Sequence, residues 1–244
     1  MNQSSRWHRN DWTDTDVARH WDSVASIYID ANDRVHGTHV QRFKKSVQYL
    51  KLDAHCRVLN ITSRDCEADE YIRCACPTAQ VVNAEISQGL IAVASNIRPQ
   101  AKQVKIDTYS KLSFLDGQFD RVLSLETLEH VAEPIKFLRE LYRVSTNKAV
   151  MVLSCPPATC ELSYRVYTRL FGGHGEGPHR FLASKEVKKM FQKTGWKLLL
   201  HEGTLLVPIG PRFLRELGEK IIKRCQNTLI SELGIRQFYV CRKS

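Results

Sequence analysis

The sequence predicts an α/β protein with a doubly wound, mostly parallel sheet of seven strands, and three observations support that fold class. Short apolar runs alternate along the chain with segments of helical periodicity, the order expected for parallel strands joined by helices. The 244 residues are enough to bury one full core. No internal repeat and no low-complexity linker interrupts them, so we predict one domain over residues 1–244.

Seven short apolar runs are the predicted strands. In chain order they cover residues 57–61, 80–85, 104–107, 122–125, 149–153, 196–201 and 237–241. The third is the weakest of them. The Asp116–Gly117 pair before the fourth strand is a turn signal. Because helical segments separate the strands, the sheet is expected to be largely parallel.

Segments in which apolar residues recur every three or four positions are the predicted helices. They cover residues 13–50, 67–74, 87–96, 135–144, 184–195 and 211–230. Ser87 and Ser184 are predicted N-caps, because a serine oxygen accepts a free N–H group of the first helical turn. Pro134 suits a helix start, where its fixed φ and missing N–H are favourable. We expect residues 13–50 to form a helical cap and residues 205–234 a helical insertion before the last strand.

Composition favours a cytoplasmic protein with an anionic partner. The formal net charge is +10, although most of these cations are expected on a solvated surface. Nucleic acid is not the expected partner, because no basic strand interleaved with aromatic residues appears. The first residues have no apolar core typical of a signal peptide, and no apolar run is long enough to span a bilayer.

The cysteines and the common catalytic motifs exclude several kinds of site. Eight cysteines without an export signal indicate reduced thiols. Cys66, Cys74 and Cys76 lie close together but lack a CxxC spacing, so we predict no metal site. The serine-hydrolase elbow, the HExxH zinc motif and the P-loop are all absent.

The most informative segment is residues 119–131, FDRVLSLETLEHV. A predicted buried strand leads into a Glu-x-x-Glu-His turn, a helix that starts with proline, and a second apolar strand. This order resembles the fourth and fifth strands of class I S-adenosylmethionine (SAM)-dependent methyltransferases, with the small-molecule, quinone-biosynthesis-like branch as the nearest match. The resemblance extends over residues 21–195. It implies a Rossmann-like sheet with an antiparallel last strand, SAM as cofactor, and methyl transfer.

The chain departs from that family at the turn after the first strand. The family pattern is roughly VLDIGCGTG, whereas residues 58–66 are VLNITSRDC. Thr62, Arg64 and Cys66 thus replace glycines that permit positive φ and a close approach of the backbone to the ligand. Two interpretations remain: a rebuilt turn that still binds SAM, which we favour, or a fold that has lost its cofactor.

The resemblance also implies cofactor contacts. Glu85 ends the second strand, where the family has an acid that accepts both ribose hydroxyls. Asn60 or Asp65 would meet the cofactor's amino group, and Leu112 matches a segment that flanks the adenine. The complete set of predicted cofactor contacts is Asn60, Thr62, Asp65, Glu85, Ile86, Asp107, Leu112 and Leu125.

Methyl transfer to a hydroxyl or an acidic carbon requires a proton acceptor, for which histidine is suited. His130 follows the fourth strand, and His174 and His179 lie in a glycine-rich loop after the fifth strand. His130 has an alternative role, which is to fix its turn by hydrogen bonding. The predicted catalytic residues are His130, His174 and His179, and the predicted substrate contacts are Tyr28, Glu126 and Arg180.

Residues 211–230 combine an apolar stripe with many cations. One interpretation is peripheral contact with an anionic membrane, which would bring a lipid-linked substrate. The other is a helix packed on the sheet edge with a basic outer face. Overall we predict methyl transfer to a small-molecule or lipid-linked acceptor. The alternatives are a non-catalytic, methyltransferase-like binding or regulatory protein and an RNA methyltransferase, the latter supported only by net charge.

Overall fold

A computed structural model describes residues 11–29, 36–161, 177–207, 211–226 and 228–244. Within these residues, seven strands form one sheet. The strands are β1 (Arg57–Ile61), β2 (Gln80–Glu85), β3 (Gln103–Lys105), β4 (Phe119–Leu125), β5 (Ser145–Cys155), β6 (Trp196–Thr204) and β7 (Arg236–Lys243).

The sheet has the order β3-β2-β1-β4-β5-β7-β6. Strands β1 to β5 pair in parallel, whereas β7 lies antiparallel to both β5 and β6. The predicted fold class is therefore confirmed, including the antiparallel last strand. The order reverses between β1 and β4, which places a topological switch point at their carboxyl ends.

Helices cover both faces of the sheet. They are α1 (Asp14–Val24), α2 (His36–Leu50), α3 (Glu67–Ala75), α4 (Gln88–Ile97), α5 (Pro134–Val144), α6 (Ser184–Thr194) and α7 (Arg212–Arg224). One buried apolar cluster joins the sheet to α1, α4, α5 and α6, and a second joins it to α2 and α3. None of the described helices combines the length and apolarity needed to cross a bilayer.

Several element ends differ from the sequence prediction. Strand β3 ends at Lys105 rather than at residue 107, and β5 begins at Ser145, directly after α5, rather than at residue 149. Ser87 caps α4 as predicted, accepting from the Leu90 amide over 3.1 Å. The prediction for Ser184 is wrong: it is the first residue of α6, and Ala183 occupies the cap. The Ala183 amide there donates to the Glu186 carboxylate three residues later, which is the half of a capping box that needs no serine.

Candidate functional site

The candidate site lies at the carboxyl edge of the sheet, beside the switch point. Four parts of the chain meet there: the turn of residues 62–66 after β1, the end of β2, the turn of residues 126–131 after β4, and α1 with residues 177–182 packed near it. In open α/β sheets this is the edge at which ligands bind.

The turn after β1 has a left-handed backbone at each of the three positions where the sequence lacks the expected glycine. The φ angles of Thr62, Arg64 and Cys66 are 57°, 52° and 63°. Because this conformation costs a residue with a side chain roughly 1–2 kcal/mol, other contacts must hold the turn. The Cys66 thiol, for example, is buried and donates to the Ala101 carbonyl. The turn therefore follows a path that glycine usually permits, without any glycine.

Glu85 holds this turn against the end of β2. Its side chain is fully buried, at 0% exposure. One carboxylate oxygen accepts from the Arg64 amide over 2.8 Å, and the other accepts from the amides of Ile86 and Ser87 over 2.8 and 3.0 Å. Both oxygens of the acid predicted to bind ribose thus already bind backbone N–H groups.

Arg64 directs its side chain into the site. Its guanidinium lies 3.6 Å above the ring of Trp21 on α1, a cation–π contact. The Trp21 ring in turn meets His130 edge-on, with centroids 5.5 Å apart. Nη1 of Arg64 and Nε1 of Trp21 are buried, and neither has a hydrogen-bond acceptor among the described residues. Within the described ranges, these two donors of the site therefore have no acceptor.

His130 is buried in the turn after β4 and is fixed from two sides. Its Nδ1 lies 2.9 Å from the Pro178 carbonyl, and its own carbonyl accepts from Trp12 Nε1 over 2.7 Å. Because a carbonyl can only accept, Nδ1 carries the proton, and Nε2 of the neutral ring, which lies 4.0 Å from a Glu129 carboxylate oxygen, keeps the lone pair that can accept one. Burial, followed by the charge of Arg64, holds the His130 pKa well below its usual value. The ring is therefore neutral and anchors its turn.

Arg180 and His179 pack beside His130. The Arg180 guanidinium lies 4.3 Å above the Trp12 ring and donates to the carbonyls of residues 131 and 132. Burial lowers the Arg180 pKa, and its Nε has no acceptor within the described ranges. His179 lies 6.4 Å from His130, between ring centroids, and its Nδ1 is 2.8 Å from the Gly177 carbonyl. His174 lies outside the described residues.

Of three predicted polar cofactor contacts, two pair with other side chains and one faces solvent. Asn60 donates to the Asn83 side chain over 2.8 Å in the buried layer between the sheet and α3. Asp65 pairs with Arg98 over 2.9 Å, and burial raises its pKa despite that cation. Asp107 projects into solvent with its side chain 99% exposed. The side chains of Asn60 and Asp65 are thus engaged by other residues of the protein.

Glu126 turns toward β5 and β7. Its φ is 48°, and its carboxylate accepts from the Ser154 hydroxyl over 2.6 Å and from Arg236 over 3.1 Å. Burial opposes ionisation, but the charges of Arg236 and Arg42 outweigh it and lower the Glu126 pKa. The predicted substrate contact is thus a partly buried ion-pair partner of Arg236, the first residue of β7.

The remaining predicted contacts are largely packing residues. Ile86 and Leu112 are buried in the cluster on the α1 face, and Leu125 is buried in the cluster on the α2 face. Tyr28 meets Trp21 edge-on at 6.1 Å. The Thr62 hydroxyl lies 3.4 Å from the hydroxyl of Tyr109, a buried residue of the same region.

The sequence prediction missed Asp14, which joins α1 to the rest of the site. Its carboxylate accepts from the Thr108 hydroxyl over 2.6 Å, the Tyr109 amide over 2.8 Å and the Ala132 amide over 3.3 Å. The local signal was a capping box, in which Thr13 and Asp16 bind each other's backbone N–H groups. That signal marks the start of the helix but does not predict its long-range partners.

The unpaired donors provide a test of whether these residues fit SAM. The cofactor carries a carboxylate and ribose hydroxyls, whose oxygens accept hydrogen bonds. Nη1 of Arg64 and Nε1 of Trp21 are buried donors without an acceptor in the described part of the chain. A guanidinium is well matched to a carboxylate. These two donors therefore fit the acceptor groups that the cofactor carries.

Comparison with known proteins agrees with this arrangement. Residues 59–153 match the protein family described as "Methyltransferase domain". No curated protein matches the sequence. A SAM-dependent methyltransferase from Thermotoga maritima has a TM-score of 0.67 at 16% identity, with 93% of this chain and 99% of that chain covered.

Two further solved structures have the same fold. The [4+2]-cyclase SpnF has a TM-score of 0.67 at 16% identity, with 95% of this chain and 96% of that chain covered. A chain of the complex containing the Haloferax volcanii Trm112 methyltransferase activator has a TM-score of 0.68 at 14% identity, with 91% and 97% covered. Residues 59–153 therefore match a methyltransferase domain, for which S-adenosylmethionine is the implied cofactor, and the chain shares the fold of these solved structures.

Proposed function

We propose that the chain transfers the methyl group of SAM to a small-molecule or lipid-linked acceptor, as the quinone-biosynthesis-like branch does. The observation that carries this proposal is the left-handed backbone at Thr62, Arg64 and Cys66. The turn that would cradle the cofactor keeps its path although its glycines are gone. The free cysteines, with Cys74 exposed, support a reducing compartment such as the cytoplasm.

Arg64 is the residue that we assign to the cofactor's carboxylate. Its guanidinium is held against Trp21 and has a buried nitrogen without an acceptor in the described residues. The planar fork of arginine matches a carboxylate. Glu85 supports this role indirectly, because it binds the Arg64 amide and thereby fixes the direction of the side chain.

The cofactor, when bound, supplies an activated methyl group, so the protein has to align the acceptor and remove its proton. His130 is suited to the second task. Its pKa is lowered by burial, so it is neutral, and its Nδ1 faces a carbonyl, which leaves Nε2 to accept a proton. His179 lies beside it and would help to shape the acceptor's site.

Calorimetric titration with SAM, S-adenosylhomocysteine and 5′-methylthioadenosine tests this proposal. We expect the first two to bind the intact protein, and Arg64→Met to weaken both by about 10- to 100-fold, because a hydrogen bond to a charged group contributes roughly 1.5–3 kcal/mol. Methylthioadenosine has no carboxylate, so its affinity should change little. Arg19→Met, at an exposed arginine of α1, is the matched control.

Each outcome has a distinct meaning. Absence of SAM binding by the folded protein would refute the proposed function. Equal binding by Arg64→Met would refute only the role of Arg64. Tighter binding by Arg64→Gly would mean that the side chain blocks the site instead of holding the ligand.

A non-catalytic binding protein is the second candidate, and one observation favours it. Both oxygens of Glu85 already accept hydrogen bonds from backbone amides, so the carboxylate is satisfied without ribose hydroxyls. SpnF, which shares this fold, is described as a [4+2]-cyclase, so the fold is not restricted to methyl transfer. A folded chain that binds neither SAM nor S-adenosylhomocysteine would support this candidate.

A further inference from the structure

Helix α7 presents an apolar face to solvent. Phe213 and Leu217 are 67% and 51% exposed, and Leu214 and Ile221 are exposed as well. Residues three or four positions apart share one face of a helix, so these side chains form a continuous stripe. The helix does pack on β6, as the alternative interpretation from the sequence expects, but it does so through Ile222 and leaves these four side chains exposed.

The opposite face of α7 nevertheless packs closely against the rest of the domain. Ile222 is fully buried and packs against Gly203 and Gly234. If either glycine carried a Cβ, that atom would lie only 3.0 Å (Gly203) or 2.7 Å (Gly234) from Cδ1 of Ile222. A Cβ on Gly218 would lie 3.0 Å from Val207. These glycines allow close packing on the domain. The exposed stripe is thus not the consequence of a helix that has failed to dock.

The apolar surface continues beyond the helix. The 3₁₀ turn Leu229–Leu233 contacts α7, and its residues Ile230 and Leu233 are exposed, as is Ile235. We call the exposed apolar side chains of α7 and this turn the apolar patch. Exposed apolar surfaces of this kind, when rimmed by polar residues, mark interaction sites.

The rim of the apolar patch is cationic. Arg215, Lys220, Lys223 and Arg224 are exposed, and none of them forms an ion pair with a described residue. Glu219 turns inward, accepting from the Leu205 amide over 2.6 Å. The exposed charge of α7 is therefore predominantly positive.

The apolar patch lies at the same edge of the sheet as the candidate site. Strand β6 runs in the same direction as β5, because both are antiparallel to β7. Its carboxyl end, which leads to α7, therefore lies at the same edge of the sheet as the carboxyl ends of β1 and β4, with β5 and β7 between them. The ion pair between Glu126 after β4 and Arg236 of β7 joins these regions over 3.1 Å.

We propose that the apolar patch docks on an anionic lipid surface. The apolar side chains would enter the boundary between headgroups and acyl chains, while the four cations meet lipid phosphates. Positive charge around an apolar stripe favours this occupant over a second, equally cationic copy of the chain. The inference deepens the proposed function, because it would favour a lipid-linked acceptor, but it depends on α7 alone.

Co-sedimentation of the full chain with vesicles tests this inference in the absence of cofactor. We expect binding to phosphatidylcholine vesicles that contain phosphatidylglycerol and little binding to phosphatidylcholine alone. Phe213→Ser/Leu217→Ser should weaken binding at least tenfold. Lys220→Glu/Lys223→Glu should do the same, since each cation near an anionic surface strengthens binding by about fivefold.

Matched controls lie at the opposite edge of the sheet. Leu115, which is 78% exposed and precedes β4, provides the apolar control Leu115→Ser. The exposed Lys102 and Lys148, near the amino ends of β3 and β5, provide the charge control Lys102→Glu/Lys148→Glu. Both controls should bind vesicles like the unmodified protein.

Three results would overturn the inference: absence of vesicle binding, equal binding to neutral vesicles, or the same loss in patch and control variants. A dimer that dissociates in Phe213→Ser/Leu217→Ser, without vesicle binding, would mean that a second copy covers the patch. Because no cofactor is present, vesicle binding without SAM binding would refute only the proposed function, and SAM binding without vesicle binding would refute only this inference.

Discussion

Replacing Glu85 should destabilise the protein well before it affects any ligand. Glu85→Ala removes the acceptor of three N–H groups, those of Arg64, Ile86 and Ser87. Each buried donor left without a partner costs about 1–3 kcal/mol. We therefore expect a loss of at least about 3 kcal/mol from a total that is typically about 5–15 kcal/mol.

Glu85→Gln keeps the size and shape of the side chain but replaces one acceptor oxygen by an NH₂ group. Its amide oxygen can still accept from two of the three N–H groups, but its NH₂ group faces the third donor. The expected loss is about 1–3 kcal/mol, the cost of one unsatisfied donor. The free energy of unfolding should thus be highest for the unmodified protein, lower for Glu85→Gln and lowest for Glu85→Ala.

Urea unfolding followed by circular dichroism measures this order. The control is Asp107→Asn, since the Asp107 side chain is 99% exposed and should change stability by less than about 0.5 kcal/mol. A Glu85→Ala protein within that margin would refute the argument that this carboxylate holds the turn. Such a result would also return Glu85 to the role of a ribose ligand.

Two further predictions concern buried charge. Burial holds the His130 pKa well below the value of about 6.5 in the unfolded chain. As the pH falls, the unfolded chain therefore takes up the proton before the folded protein does. The contribution of His130 to stability is fully present above about pH 6.5 and decreases below it, by up to about 1.4 kcal/mol per pH unit. Urea unfolding at pH 7.5 and 5.5 should show a smaller drop for His130→Gln, and an equal drop would contradict this. Lys45→Met should lower the free energy of unfolding by about 3–5 kcal/mol, because Lys45 pairs at 2.6 Å with the fully buried Glu202. Lys44→Met, at an exposed position of the same helix, is the control and should change stability little. Equal losses in the two variants would contradict the ion-pair account.

The parts of the fold that the sequence predicted are those with a local signal. The strand β1, for example, is a short apolar run, and all of its residues from Val58 to Ile61 are buried. Ser87 caps α4 through a contact within one helical turn. The element ends were less predictable, because β5 follows α5 without a loop and no turn residue marks Ser145.

The side-chain directions in the site had no such signal. Asn60 alternates with its neighbours along a strand, and its side chain pairs with Asn83 in the layer beneath α3. Glu126 meets Arg236, a residue 110 positions away in the chain. Such partners depend on how distant strands align, and a single sequence does not contain that information in a local pattern.

Arg64 illustrates why a lost glycine motif is a weak argument for a lost site. What the turn requires is a left-handed φ, and glycine is the residue that adopts it at least cost. Here the Arg64 amide binds Glu85 and its guanidinium stacks on Trp21, so contacts at both ends of the residue offset the strain. The substitution also adds a cation to a site whose ligand carries a carboxylate. The same residue that breaks the family's pattern can therefore be the one that binds the cofactor, and Arg64→Met separates these two effects because it keeps the side-chain stem and removes the charge.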